Sequence, residues 1–183
     1  MTHLTRMTPR ILASATRATL AATLLAAAPL GAQAPAPTAA PTASADDRAA
    51  VLAVVKRLFD AMRASDSATV RAVFHPQALL GSALIGRDGT PQVRIDSIGA
   101  FVRSVGGQHP LLDERTSGEI VQIDGPLATA WTPYAFYLGE KFSHCGVNAF
   151  TLARTGAEWR IVALTDTRQR TGCPQQAAGG TPR

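Results

Sequence analysis

The sequence predicts an α+β domain in which about three helices pack on one face of a curved antiparallel sheet. Three observations carry that expectation. Two helical stretches and a short strand pair open the folded region. One further helix follows. From Leu111 onward the chain turns to strand patterning, interrupted by turn signals at Asp124-Gly125, Gly139-Glu140 and Thr155 to Glu158.

Each element has a local cause. Between Ala45 and Ala64, Val51, Leu52, Val55, Leu58, Phe59 and Met62 recur at steps of three and four, with Asp47, Lys56, Asp60 and Arg63 between them. That spacing gives a helix one apolar face. Ser44 is a candidate N-cap, and Asp46 and Asp47 fall in the first turn, where negative charge is favoured. Ser65-Asp66 ends this helix and caps a short second one through Val70, Val73 and Phe74. His75-Pro76 stops it, because the residue before a proline is pushed out of the helical region. Ala78 to Ile85 reads as a strand, Gly86 to Thr90 as a turn, and Gln92 to Ile95 pairs back. Asp96 or Ser97 caps a third helix with Ile98, Phe101, Val102 and Val105 on its apolar side, and Gly106-Gly107 ends it. The strands Glu114 to Ile123, Leu127 to Leu138, Lys141 to Arg154 and Glu158 to Arg168 complete the meander.

The N-terminus reads as a targeting signal over residues 1–32. Arg6, Arg10 and Arg17 precede and punctuate an Ala/Leu run ending near Ala28, and the small residues Gly31 and Ala32 offer a cleavage site. The run falls short of the roughly 20 residues a membrane span needs, so no stable membrane insertion is expected after cleavage. The expected location is periplasmic or secreted. Residues 33–45 are an Ala/Pro/Thr-rich linker that cannot bury a face. Residues 46–174 form the domain, and 175–183 a disordered tail.

Charge narrows the partners. The whole chain is +5, but removing the three signal arginines leaves 15 basic against 13 acidic residues, a net of +2. The arginines are scattered and only Lys56 and Lys141 are lysines, so no nucleic-acid face is expected. Paired Cys-x-x-Cys and His-Glu-x-x-His motifs are missing, as is a phosphate-binding glycine loop, so neither metal nor cofactor is expected. Two cysteines in an exported chain suggest a Cys145–Cys173 disulfide. Such a loop contributes roughly 3–4 kcal/mol in the chain-entropy model. Two free thiols are the alternative, because spacing alone does not bring the sulfurs together.

The element order, with W-x-P-Y-x-F from Trp131, H-C-G-V from His144, W-R-I-V from Trp159 and D-T-R from Asp166, resembles the nuclear-transport-factor-2-like superfamily. Within it, the chain is most similar to the exported bacterial proteins of the putative lumazine-binding branch. The resemblance implies a cone-shaped α+β fold with an apolar pocket between sheet and helices, often dimeric through the back of the sheet. It implies no single reaction, since relatives include isomerases, dehydratases, cyclases, epoxide hydrolases and non-catalytic binding modules.

Strand register proposes a site. A two-residue turn at Gly139-Glu140 sets Ala135 opposite His144 and Trp131 opposite Asn148. A four-residue loop at Thr155 to Glu158 sets Phe150 opposite Ala163, Asn148 opposite Thr165 and Cys145 opposite Arg168. Opposed residues share a face. One face then carries Trp131, Ala135, Tyr137, His144, Asn148, Phe150 and Thr165, an aromatic surface with a few convergent polar groups. The other carries Tyr134, Phe136, Leu164, Asp166 and Arg168, where the arginine fork suits an anionic group. Both sets are candidate ligand contacts. A sheet apolar on both faces calls for a cover on each, which points to a homodimer.

Three functions follow. The first is an exported domain binding a small apolar or aromatic molecule, with or without an anionic group, and not turning it over. An amide at inward position 148 cannot take a proton, which leaves the natural base position empty. The second is a cofactor-free isomerase, dehydratase or hydrolase using His144 or Asp166 as acid or base, although this register puts the two on opposite faces. The third is a protein-interaction module whose core is filled.

Overall fold

The computed structural model describes residues 45–174. The expected signal peptide, its linker up to residue 44, the Ser44 cap and the tail from residue 175 lie outside the described residues. The element order is α1 (Ala45–Arg63), α2 (Ser67–Val73), β1 (Phe74–Ile85), β2 (Pro91–Asp96), α3 (Ile98–Val105), β3 (Leu112–Thr116), β4 (Ile120–Asp124), β5 (Leu127–Leu138), β6 (Lys141–Thr155) and β7 (Glu158–Thr167). The helix boundaries follow their caps. The Asp66 side chain accepts the Thr69 N–H at 2.9 Å, and Ser97 Oγ accepts that of Ala100 at 3.1 Å. His109 bridges the Val105 and Pro110 carbonyls at 2.6 and 2.8 Å below the end of α3.

The sheet runs β2-β1-β7-β6-β5-β3, with β4 also pairing β5. The strand expected from Glu114 to Ile123 is two strands. β3 pairs Leu112 to Thr116 with Leu138 to Tyr134, and β4 pairs Ile120 to Asp124 with Trp131 to Leu127. Gly118, at φ 65°, takes the bend between them. One pair in the otherwise antiparallel sheet is parallel: β1 lies beside β7, its neighbour across almost the whole domain sequence, so no tight hairpin constrains its direction.

The core lies between α1 and the concave sheet face. Val51, Val55, Leu58, Phe59 and Met62 project from α1 onto Phe150, Leu152 and Ile161. Phe59 meets Phe150 edge-to-face at 6.1 Å, a contact worth about 0.5–1.5 kcal/mol beyond its burial. Arg63 reaches from the end of α1 to buried Asp113 on β3 at 2.6 Å, fixing that helix end over the strand. A Cys145–Cys173 disulfide returns the C-terminal segment to β6, where Cys145 and Gln169 also exchange both backbone hydrogen bonds at 2.9 Å.

Two bulges decide which side chains meet the helices. At the β5–β6 hairpin, Leu138 faces Lys141 as the turn requires, but Phe136 faces His144, so Ser143 is an extra residue on β6. On β7, Leu152 faces Ile161 but Thr151 faces Ala163, so Val162 is extra. Each extra residue turns the remainder of a strand pairing by one position and exchanges its two faces.

Candidate functional site

The first consequence is a corrected row of residues. Trp131 does not face Asn148, nor does Thr165. The row that crosses the concave face is Thr132, Asn148, Asp166, Ser82 and Arg94, from β5, β6, β7, β1 and β2 in turn. A second row carries Glu114, Phe136 and His144. Trp131 lies on the outer face, 50% exposed, between Ile120 and Ala149, and Thr165 is exposed beside Gly81. Tyr137 packs against Phe142 and Arg115 away from the concavity, and Phe150 belongs to the closed core. Tyr134, Phe136, Leu164, Asp166 and Arg168, expected on the opposite face from His144 and Asn148, join them on this one.

These side chains surround a cavity of about 450 Å³. Leu58, Phe59 and Met62 of α1, Phe101 of α3, and Leu80, Leu112, Phe136 and Leu164 of the sheet form its apolar walls. Glu114, Tyr134, His144, Asn148, Asp166 and Arg168 supply the polar groups. An outer groove beside the β1–β2 hairpin shares Arg94, Phe136, His144 and Arg168 with the cavity, so these residues stand at its mouth.

The polar groups form one connected set. Asn148 Nδ2 donates to Glu114 Oε1 at 2.6 Å. Arg168 Nε donates to Asp166 Oδ2 at 2.6 Å, and the Tyr134 hydroxyl donates to the Thr167 carbonyl at 2.9 Å while standing 3.4 Å from Asp166 Oδ2. Among the described residues, nothing hydrogen-bonds the buried Asp166 Oδ1. His144 packs on Tyr134 and Phe136, and its Nδ1 lies 3.0 Å from Ser143 Oγ.

Burial dominates the protonation states. It pushes the Glu114 carboxyl up to about 7, with the Asn148 amide opposing and the Asp166 charge reinforcing the rise. Burial lowers His144 to about 4, helped by the nearby Arg168 charge, so its ring is neutral at pH 7. The Tyr134 hydroxyl is raised well above its ordinary value by burial and by the Asp166 and Glu114 carboxylates. Burial disfavours the Arg168 charge, but the Asp166 hydrogen bond and charge reverse that effect and hold the guanidinium protonated.

Glu114 is the site residue that sequence reasoning missed. Its signal was present: Leu112, Glu114 and Thr116 alternate to one side of β3, and a carboxylate at an inward strand position is unusual without a partner or a task. The strand was read as starting at Glu114 and carried no register to β5, so the residue had no assigned face.

Comparison with known proteins places this geometry. Residues 46–165 match the model of the family described as "Putative lumazine-binding". No functionally curated protein matches the chain. Among solved structures, the fold is similar to that of a protein of unknown function from Mycobacterium tuberculosis, with 16% identity, a TM-score of 0.57, and coverage of 69% of this chain and 79% of that one. It is also similar to an NTF2-like protein of unknown function from Shewanella baltica, at 14% identity and TM-score 0.56, covering 72% of this chain and all (100%) of that one. A third is a putative scytalone dehydratase from Novosphingobium aromaticivorans, at 10% identity and TM-score 0.55, covering 68% and 85%. These likenesses are of fold. The fold is like that of NTF2-like proteins, and the match over residues 46–165 shows that the chain belongs to the putative lumazine-binding family.

Proposed function

We propose that this domain binds a small, largely apolar or aromatic molecule in the cavity beneath α1 and α3. The observation that carries the reading is the cavity itself. Its volume of about 450 Å³ suits a small ligand, its walls are aliphatic and aromatic, and its polar groups converge from β3, β5, β6 and β7. An open cavity also weighs against an interaction module with a filled core. A polar or anionic group on the ligand is met at the mouth by Arg168 and Arg94. The test is a thermal-shift screen with lumazine-type heterocycles, steroids and polyketide-like aromatic acids. Saturable stabilisation by one class, lost in Phe59→Arg, supports the reading. A panel that leaves the melting temperature unmoved counts against it.

A cofactor-free isomerase, dehydratase or hydrolase is the second reading. What favours it is that His144 and Asp166, placed on opposite faces by simple alternation, line one cavity.

We further propose that the protein works outside the cytoplasm, in the periplasm or secreted, and as a homodimer. The Arg-flanked Ala/Leu run before residue 32 and the Cys145–Cys173 disulfide support export. Among the described residues no helix is long and apolar enough to cross a membrane. The outer sheet face supports a second copy. Ile120, Trp131, Ala149, Thr165, Gly81 and Ile95 form a row across six strands there, flanked by exposed Leu79 and Val93. Light scattering on the purified protein reads the mass of a dimer, and Trp131→Glu reads that of a monomer. A monomeric wild type removes the proposal.

A further inference from the structure

We infer that Glu114 is a general base, and that the cavity removes a proton from an apolar or aromatic substrate whose C–H bond is acidified by an adjacent carbonyl or ring nitrogen. The inference rests on reading the cavity as a small-molecule site.

Four groups lining the cavity can accept a proton, and their surroundings separate them. Asp96, exposed on β2, is paired with Arg94 at 3.0 Å. Asp166 is committed to Arg168, whose Nε holds its Oδ2, and its Oδ1 is buried. His144 is kept neutral and weakly basic by burial and by Arg168. Glu114 differs from all three. Its Oε1 is fixed by the Asn148 amide at 2.6 Å, and its Oε2 takes no hydrogen bond from any described residue. A fixed carboxylate with one free oxygen, beside the apolar walls of Phe59, Met62, Leu112 and Phe136, is oriented for proton abstraction and poorly solvated. Asn148 thereby has a positive role: the amide that cannot itself accept a proton positions the carboxylate that can.

The charges around Glu114 are consistent with that task. Asp166 faces it from β7, Arg168 from just beyond that strand, Tyr134 from β5 and His144 from β6, with Arg94 and Asp96 of β2 also lining the cavity. On the α1 side, Arg63 is paired with Asp113 and Lys56 with Asp60. Along the same sheet edge, Arg115 is paired with Asp113, and Glu119 accepts from Thr116. Burial and Asp166 hold the Glu114 carboxyl near 7, a useful strength for a base working at neutral pH. Arg168, which spends only its Nε on Asp166 among the described residues, offers its remaining N–H groups to negative charge that develops on the substrate.

A generic probe reads this directly. In 5-nitro-1,2-benzisoxazole, Glu114 takes the proton from the ring C–H. The C–H electron pair becomes part of a nitrile bond, the N–O bond breaks, and its pair stays on oxygen as 2-cyano-4-nitrophenolate. Glu114 then returns the proton to water. The expected result for the purified wild type is saturable phenolate release, faster than that driven by an equal concentration of acetate by at least about 100-fold. The rate rises with pH to a plateau with its midpoint near 7. Glu114→Gln, nearly isosteric, binds the probe in equilibrium dialysis but loses at least about 30-fold in rate. Asn148→Ala moves the midpoint to higher pH, because the amide it removes favours the ionised carboxylate. A wild type that binds the probe but is no faster than Glu114→Gln overturns the inference alone, as does a rate independent of pH from 5 to 9. A wild type that shows no saturable binding of the probe overturns it together with the cavity reading.

Discussion

Replacing Glu114 by Gln measures the cost of its burial with no substrate present. The free carboxyl has a reference value of 4.5, and burial lifts it to about 7 in the folded protein. At about 1.4 kcal/mol for each pH unit, the full difference is about 3.5 kcal/mol, and water entering from the cavity side reduces the expectation to about 2–3 kcal/mol. The sign follows from which state ionises first. Below pH 4.5 the carboxyl is protonated in both states and costs nothing. Between 4.5 and 7 the unfolded chain ionises while the folded carboxyl does not, so stability falls as pH rises. Above 7 the loss is complete and constant. Gln cannot ionise, so its stability relative to wild type grows by about 2–3 kcal/mol between pH 4 and pH 8. Urea denaturation at a series of pH values, with equal m-values required of both proteins, provides the measurement. Two curves that stay parallel within about 0.5 kcal/mol from pH 4 to 8 refute the burial of this carboxyl and the protonation scheme built on it.

Three further outcomes are expected. His144 is held down at about 4, so the stability it contributes is present above 6.5 and lost as pH falls toward 4. His144→Gln then flattens that acid limb by about 1–2 kcal/mol, read in the same titration. In Gly146→Ala the new Cβ falls 1.9 Å from the Thr167 carbonyl oxygen, which accepts the Tyr134 hydroxyl. The required backbone shift and the lost hydrogen bond cost about 2–4 kcal/mol in urea unfolding, and a loss below 1 kcal/mol contradicts the close approach. Reducing Cys145–Cys173, which joins residues 28 apart, lowers stability by about 3–4 kcal/mol, seen as a shift in urea midpoint with dithiothreitol.

The fold was legible because its causes are local. The apolar face of α1, the Asp66 and Ser97 caps and the Gly139-Glu140 turn all act within a few residues, and each boundary followed from them. The resemblance carried by W-x-P-Y-x-F, H-C-G-V and D-T-R supplied the packing of helices on sheet. The site was legible only in part. Asn148 and His144 lie on β6 and kept their face, so they reach the cavity. Trp131 and Thr165 were misplaced because Ser143 and Val162 carry no side-chain signature of a bulge; both fit an ordinary strand. Pro133 and Gly146, the residue types that do mark irregularity, sit in the regular ladder instead. Glu114 required long-range pairing with β5 to find its face, which lies beyond what a local pattern encodes.

The two inserted residues make the sheet's lining a matter of parity. Odd and even positions of β5 and β7 are assigned to ligand and to solvent only after Ser143 and Val162 have been counted. Absorbing either one into a regular ladder exchanges odd for even along the rest of its strand pairing. With Val162 opposite Thr151, Ala163, Thr165 and Thr167 would come under the helices and Leu164, Asp166 and Arg168 would turn outward. Deleting Val162 has no such effect, because Ile161 and Ala163 keep their partners and the residues beyond keep their faces. A homologue one residue shorter at this point would therefore keep the chamber, whereas one of equal length with an unbroken ladder would present a differently built one.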